Sequence, residues 1–315
     1  MTSFIGRRLL AVVPLLLLVT VVVFSLILLM PGDPAVALVG LENATEERLA
    51  AIRQRLGLDQ PIYVQYARWL GRVVQGDLGT SVRTGQPVAE ALLERVPVTL
   101  GLSLASTAVG LLIGCPLAVV AAYRRGGVVD LVARGTAALG VAVPTFWLGS
   151  MLALVLALQF RWLPATGYVS LFEDPWTSAW HMVLPTLTLA ASAVAEVTRQ
   201  LRSSLQDVLS SDYVRTARAK GLGEGWVVAK HALRNAMVPI VSIAALTVNR
   251  IIGATVVVES IFALPGLGRM NLESVLNRDF PTLQGAVLLM AIIVVAINLV
   301  SDLVYGWVDP RIRYS

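Results

Sequence analysis

Very few side chains in this sequence could do chemistry. Cys115 is the sole cysteine and has no intrachain disulfide partner, and His181 and His231 have no Cys or His at metal-ligand spacing. Neither Lys220 nor Lys230 closes a G-x-x-x-x-G-K-[ST] loop for nucleotide phosphates, and H-E-x-x-H and G-x-S-x-G are absent. What remains is charge in unusual settings. Arg250 interrupts an apolar run, where placing an arginine costs about 2.5–3.5 kcal/mol, which points it at protein or a wet cavity. Glu196 and Glu259 are its candidate partners, for an ion pair between helices or for the lining of a path. A second concentration of charge, Arg215, Arg218, Lys220, Lys230 and Arg234, flanks the glycine run Gly221-Leu222-Gly223-Glu224-Gly225. Its chemistry would be electrostatic, on lipid headgroups or on the acidic rim of a soluble partner.

The elements that carry these groups follow from composition. The 315 residues are 56% apolar and 14% charged, against about 25% charged in a soluble domain, which excludes an ordinary soluble enzyme. The net charge of +5 suits membrane topology better than nucleic acid in so apolar a chain. A helix rises about 1.5 Å per residue, so roughly 20 apolar residues cross a hydrocarbon core of about 30 Å. Five runs free of Asp, Glu, Lys and Arg reach that length: 9–30, 96–123, 135–160, 175–195 and 280–301. A sixth, 238–261, is broken by Arg250 and closes with Glu259, yet its remaining residues are apolar enough to span. The expected fold class is an all-α membrane protein with six transmembrane helices. The first run follows Arg7 and Arg8 as a signal peptide would, and Ala35-Val36-Ala37 mimics a cleavage site. Its 22 residues exceed the roughly 7–15 apolar residues of such a peptide, so an uncleaved anchor is expected.

Orientation follows from the basic residues. With both termini inside, the inside segments hold fourteen Lys and Arg and the short outside loops three: Arg161, Arg269 and Arg278. Residues 31–95 then lie outside and read as structured. Asn43 and Glu46 start a helix with Leu49, Ile52 and Leu56 on one face and Gly57 as its stop; Pro61 opens a second, faced by Tyr63, Tyr66, Leu70 and Val73. Gly76-Asp77-Leu78-Gly79 makes a turn, and 87–95 leads into the second span. These helices either lie on the bilayer surface or form a docking surface for an outside partner. Cys115 beside Pro116 and the glycines Gly101, Gly110 and Gly114 read as close helix packing, and His181 beside Trp176 and Trp180 as interfacial.

The inside segment 206–237 is longer than joining two antiparallel helices requires. Residues 212–220 read as a short basic helix in which Ala217 and Ala219 permit close approach, the glycines break it, and 226–236 reads as a second helix. The result is a protruding elbow. The order Val214-Arg215-Thr216-Ala217-Arg218-Ala219-Lys220-Gly221-Leu222, followed by His231-Ala232-Leu233-Arg234-Asn235-Ala236, resembles the loop of permease subunits of binding-protein-dependent ABC importers, in the dipeptide and oligopeptide branch. The likeness extends over nearly the whole chain. It includes Pro31-Gly32-Asp33-Pro34, Leu56-Gly57-Leu58-Asp59-Gln60-Pro61, Gly76-Asp77-Leu78-Gly79, Pro144-Thr145-Phe146-Trp147-Leu148-Gly149 and Leu163-Pro164-Ala165-Thr166-Gly167-Tyr168. Phe262-Ala263-Leu264-Pro265-Gly266-Leu267-Gly268 and Asp309-Pro310-Arg311-Ile312-Arg313-Tyr314 complete it. The broader permease signature, Glu-Ala-Ala with a glycine four further on, is met as Arg215-Thr216-Ala217 and Gly221, so the glutamate's own contact does not carry over.

The resemblance implies the ABC type-1 transmembrane fold of a type I importer. It divides the chain into an N-terminal span with an extracytoplasmic helical segment (1–95), a transmembrane domain (96–308) and a cytoplasmic tail (309–315). Within the domain, spans of about 97–122, 135–159, 181–202, 238–261 and 281–306 surround the coupling loop 206–237. It implies half of a translocation path for dipeptides or oligopeptides in a prokaryotic cytoplasmic membrane, with both termini cytoplasmic. Arg215, Thr216, Ala217, Arg218, Ala219, Lys220, Gly221 and Leu222 would dock in an ATPase subunit. The implied partners are a second homologous permease, two ATPase subunits and an extracytoplasmic substrate-binding protein. ATP and Mg would be bound by the ATPases, with no cofactor or metal in this chain and no nucleic acid. A membrane-embedded enzyme or a scaffold is the rival class; the spans offer few acids and no paired catalytic set. The cargo is open among dipeptide, oligopeptide, glutathione, nickel chelate and oligosaccharide.

Overall fold

The computed structural model describes residues 2–29, 36, 45–56, 59–227 and 238–308. The motif Pro31-Gly32-Asp33-Pro34, Asn43, Gly57, Leu58, the loop residues 228–237 with Lys230, His231 and Arg234, and the tail 309–315 lie outside the described residues. In chain order the helices are α1 (Thr2–Leu29), α2 (Glu46–Leu56), α3 (Ile62–Val74), α4 (Val88–Tyr123), α5 (Val128–Ala142) and α6 (Thr145–Leu152), which passes into a π-helical stretch, Ala153–Gln159. There follow α7 (Pro175–Leu209), α8 (Asp212–Ala219), α9 (Glu224–Trp226), α10 (Val238–Ile261), α11 (Leu267–Leu276) and α12 (Phe280–Val308). Helices α4, α7, α10 and α12 are each long and apolar enough to cross a membrane, and the apolar stretch Leu10–Leu26 lies within α1.

The run expected as one span at 135–160 falls on a bent pair, α5 meeting α6 and its π-helical continuation at 100°. Pro144 causes the break. It has no N–H to continue the helical ladder, and it holds Val143 extended at ψ 122°. Only together are the two helices long and apolar enough to cross a membrane.

The chain forms two compact units. The first comprises Met1–Pro97 and Arg269–Val295. Here Phe24 of α1 meets Tyr66 and Trp69 of α3 with ring centroids 5.5 and 5.7 Å apart, and Thr20 Oγ1 and Tyr66 Oη share a hydrogen bond of 2.8 Å. Tyr66, Leu70 and Val73 are half-buried, as their spacing requires, whereas Tyr63 is exposed. The turn at 76–79 places both glycines at φ 82°, with Asp77 Oδ1 accepting from the Gly79 N–H at 2.8 Å. Buried Asp279 accepts from Ser81 Oγ at 2.5 Å, Val82 N at 3.2 Å and Thr282 Oγ1 at 2.9 Å, fastening the 80–87 loop to the start of α12.

The second unit, Val98–Gly268 with Ala296–Ser315, is organised around α7. Asp174 caps α7 by accepting from Thr177 Oγ1 and the Trp176 and Thr177 amides, and these bonds, the Thr177 hydroxyl first, hold its carboxyl below the usual carboxylate range. Lipid gives helices no hydrophobic reason to associate, so close packing must do it, and small residues permit close packing. Three neighbours present glycines to α7. A Cβ on Gly110 would stand 2.5 Å from Ala193, one on Gly140 2.6 Å from Ala195, and one on Gly149 3.1 Å from Thr188. A Cβ on Gly114 would stand 3.0 Å from Val197, but one on Gly101, expected to pack likewise, would meet nothing within 4 Å. Val98, Leu102, Leu184, Leu189, Ile251, Val258 and Phe262 complete this core.

These contacts separate two substitutions of the same chemistry. Gly110→Ala inserts a methyl where none fits, an overpacking cost of about 1–3 kcal/mol, while Gly101→Ala gains up to about 1 kcal/mol of helix propensity. In detergent, the thermal midpoint should fall for Gly110→Ala and hold or rise for Gly101→Ala; equal shifts would contradict the packing.

Candidate functional site

The basic elbow hangs from the end of α7. After Leu209 the chain turns through Ser210 and Ser211, whose hydroxyl donates to the Val208 carbonyl at 2.6 Å, and α8 begins. Val214 and Ala217, one turn apart, are buried together with Val227 against Val208 and Leu209. The far end is closed by two reversed hydrogen bonds, Gly221 N to Arg218 O at 2.9 Å and Leu222 N to Ala217 O at 3.4 Å. This arrangement puts Gly221 at φ 81°, where a side chain would be strained. Arg218 Nη1 reaches back to the Leu209 carbonyl at 3.3 Å, satisfying an acceptor at the C-terminus of α7. The elbow is therefore fixed to α7 by apolar contact and by hydrogen bonds.

Its other side is open. Arg215, Thr216, Arg218, Ala219, Lys220, Gly221 and Leu222 are exposed, with Tyr213 and Trp226 beside them. Ala217 is the exception among the residues expected to dock, because its helical phase turns it inward with Val214. Of the second helix expected at 226–236, only Trp226, the last residue of the single turn α9, and Val227 lie within the described residues.

The intramembrane charges separate into two sites. Glu196 on α7 is 6% exposed and meets Arg199 Nη2 with both carboxylate oxygens at 2.8 Å. Gln200 Nε2 donates to the same carboxylate, and Arg250 Nη1 on α10 reaches it at 3.2 Å. Ser192, Ala193, Glu196, Gln200, Leu246, Thr247, Arg250 and Ile251 line a cavity of about 190 Å³ there. Glu259 stands nine residues further along α10 from Arg250, about 13.5 Å of rise, and belongs elsewhere. It is fully buried, accepts from Thr99 Oγ1 at 2.7 Å, and packs on Gly266, whose missing side chain leaves room for its carboxylate. Thr99 Oγ1 in turn accepts from the Leu267 N–H at 2.8 Å, and Gly268 lies on the backbone of Val256. The segment 262–268 is thus folded around one carboxylate at the start of α11, the helix end that favours negative charge.

Sequence reading missed Thr99, one threonine among apolar neighbours whose partner is 160 residues away. It also missed Asp130, 2% exposed, which binds Arg202 Nε at 2.6 Å and the Gly126 N–H at 3.1 Å and ties α5 to α7. A lone acid inside the apolar 128–142 stretch was the available signal. His181 Nδ1–H donates to the Thr177 carbonyl at 2.8 Å with its ring against Gly167, and Cys115 packs near Leu201 and Leu205.

Comparison with known proteins gives consistent matches. The family model described as binding-protein-dependent transport system inner membrane component matches residues 114–314, and the model of the N-terminal membrane component of the same systems matches 1–103. A putative peptide transport system permease protein of Brucella abortus is 40% identical over 315 residues, all of both chains. A glutathione transport system permease protein of Salmonella typhimurium is 42% identical over the same full length. Among solved structures, an inward-facing methionine ABC transporter, MetNI, aligns with a TM-score of 0.56 and 18% identity, over 69% of this chain and 96% of that one. That likeness is one of fold, the type-1 transmembrane fold of ABC importers.

The Thr99 junction yields a stability test. Thr99→Val leaves the Glu259 carboxylate and the Leu267 N–H short of a partner, a penalty of about 1–3 kcal/mol, whereas Thr99→Ser keeps the hydroxyl. The valine variant should melt well below the serine variant; indistinguishable melting would show that the hydroxyl bridge contributes nothing.

Proposed function

This chain belongs to the family of binding-protein-dependent transport system inner membrane components, and from that premise we propose that it forms half of the translocation path of an ATP-driven importer of small peptides. It is the permease subunit, and in this family ATP hydrolysis resides in separate subunits. The observation that carries the peptide reading is end-to-end similarity to permeases named for peptide and glutathione transport. The proposed assembly pairs this chain with a second, homologous permease, two ATPase subunits that bind ATP and Mg, and an extracytoplasmic substrate-binding protein. The excess of inside arginines supports cytoplasmic termini in a prokaryotic cytoplasmic membrane.

The elbow is the proposed receiver of work. Its exposed face offers Thr216, Ala219, Lys220 and Leu222 to an ATPase groove, with Arg215, paired with Asp212 at 3.4 Å, and Arg218, held at the Leu209 carbonyl, exposed beside them. Its buried face is fastened to Val208 and Leu209, so a push on α8 is delivered to α7. Helix α7, 35 residues long with Pro185 inside it, would rise about 52 Å, more than the bilayer core, and its proline-free stretch from Thr186 to Leu209 would pass the displacement on. Each ATP cycle would then shift the populations of inward- and outward-open states.

Gly221→Val tests the lever. Valine at positive φ is strained by about 1–2 kcal/mol and re-aims the exposed face. The complex should still assemble and hydrolyse ATP, with uptake per ATP lowered about tenfold. Unchanged coupling would count against the lever. Leu222→Glu, which puts a charge at the face's edge, should release the ATPase subunits during copurification; retention at wild-type stoichiometry would contradict docking there.

A further inference from the structure

We propose that Arg250 is a carboxylate-recognising station on the translocation path, taking the C-terminal carboxylate of a passing peptide in exchange for its contact with Glu196. The proposal rests on the peptide-permease reading and adds to it a residue and a chemical group.

Charge counting motivates it. One carboxylate, Glu196, meets two guanidiniums, Arg199 and Arg250. Arg199 spans both oxygens at 2.8 Å and Gln200 adds a further donor, so the buried acid is already satisfied without Arg250. Arg250 stands at the longer distance of 3.2 Å, its side chain is 68% exposed, and among the described residues it donates once. A guanidinium has five N–H donors. With Glu196 matched by Arg199, which stands outside the lining, the guanidinium of Arg250 on the wall of the cavity of about 190 Å³ is the surplus charge, with several unused donors.

The rest of the wall supplies no competing anion. Ser192 and Thr247 give their hydroxyl protons to Leu189 and Ile243 of their own helices, and Ala193, Leu246 and Ile251 are apolar. A surplus cation on a membrane span is not left against hydrocarbon, which directs Arg250 to a wet path or to protein. A planar fork of donors fits a carboxylate with two parallel hydrogen bonds, and the weaker of the two arginine contacts to Glu196 is the one a substrate can exchange. Every unmodified peptide carries one such carboxylate whatever its side chains. Recognition at Arg250 would thus accept many sequences, leaving selection among them to the binding protein.

The test uses the complete importer in proteoliposomes, its binding protein saturated with a tripeptide bearing either a free or an amidated C-terminus. The wild type should import the free acid about tenfold faster than the amide. Arg250→Gln should bring the acid down to the amide's rate, and Arg250→Lys should recover part of the difference. Equal rates for acid and amide in the wild type would overturn the proposal even if Arg250→Gln failed to assemble. An assembled Arg250→Gln complex that slowed both forms alike would overturn it too, assigning Arg250 to contact with the second permease. A wild-type preference that appears only in vesicles containing phosphatidylglycerol and vanishes in phosphatidylcholine would assign Arg250 to a lipid headgroup. Import of neither form by the wild type would instead overturn the peptide reading on which the site rests.

Discussion

Close backbone approach along α7 is the constraint on which the second unit depends. Side chains there are equally apolar to lipid and to one another, so association comes from dispersion between surfaces that touch. Gly110, Gly140 and Gly149 provide those surfaces to Ala193, Ala195 and Thr188 from three different helices. A single methyl at Gly110 or Gly140 would hold the neighbouring helix away from α7. The ion pair of Asp130 with Arg202 then fixes the first turn of α5 against the same helix, with the acid buried and hydrogen-bonded rather than facing lipid.

Because α7 is held on several sides, what is attached to it moves with it. The elbow is attached at Leu209 and the Glu196 cluster lies thirteen residues before that, about 20 Å along the axis. One continuous helix thus joins the proposed point of thrust to the proposed carboxylate station. A packed helix shifts as a body rather than deforming gradually, which is the kind of element that couples separate sites in transport and switching proteins. The Glu259 junction serves a different end, folding 262–268 about a buried carboxylate.

The parts that could be read from sequence were those dictated by local chemistry. The charge-free runs at 96–123, 175–195 and 280–301 lie within helices α4, α7 and α12, and Gly221 marks the turn that ends α8. The bend between α5 and α6 was visible in Pro144, but counting apolar residues ignores where a helix must break. Pairings across the chain were not legible. Arg250 had two plausible acids, and only the packing of α10 on α7 selects Glu196. Ala217 reads in the sequence as a small residue permitting close approach to a partner, yet a helix of eight residues already has an inner and an outer face, and Ala217 lies on the inner one. Asp130 and Thr99 find partners 72 and 160 residues away, distances over which sequence pattern carries no signal.

If the outer face of α8 rests on the ATPase subunit, proximity cross-linking will capture the two together. A Thr216→Cys variant in a Cys115→Ser background carries one thiol, on the exposed side of that helix. Treated in native membranes with a short photoactivated thiol reagent, it should form a covalent adduct with the ATPase whose yield changes when ATP is trapped. Adducts with lipid alone, or with no subunit of the transporter in any nucleotide state, would show that α8 does not dock there.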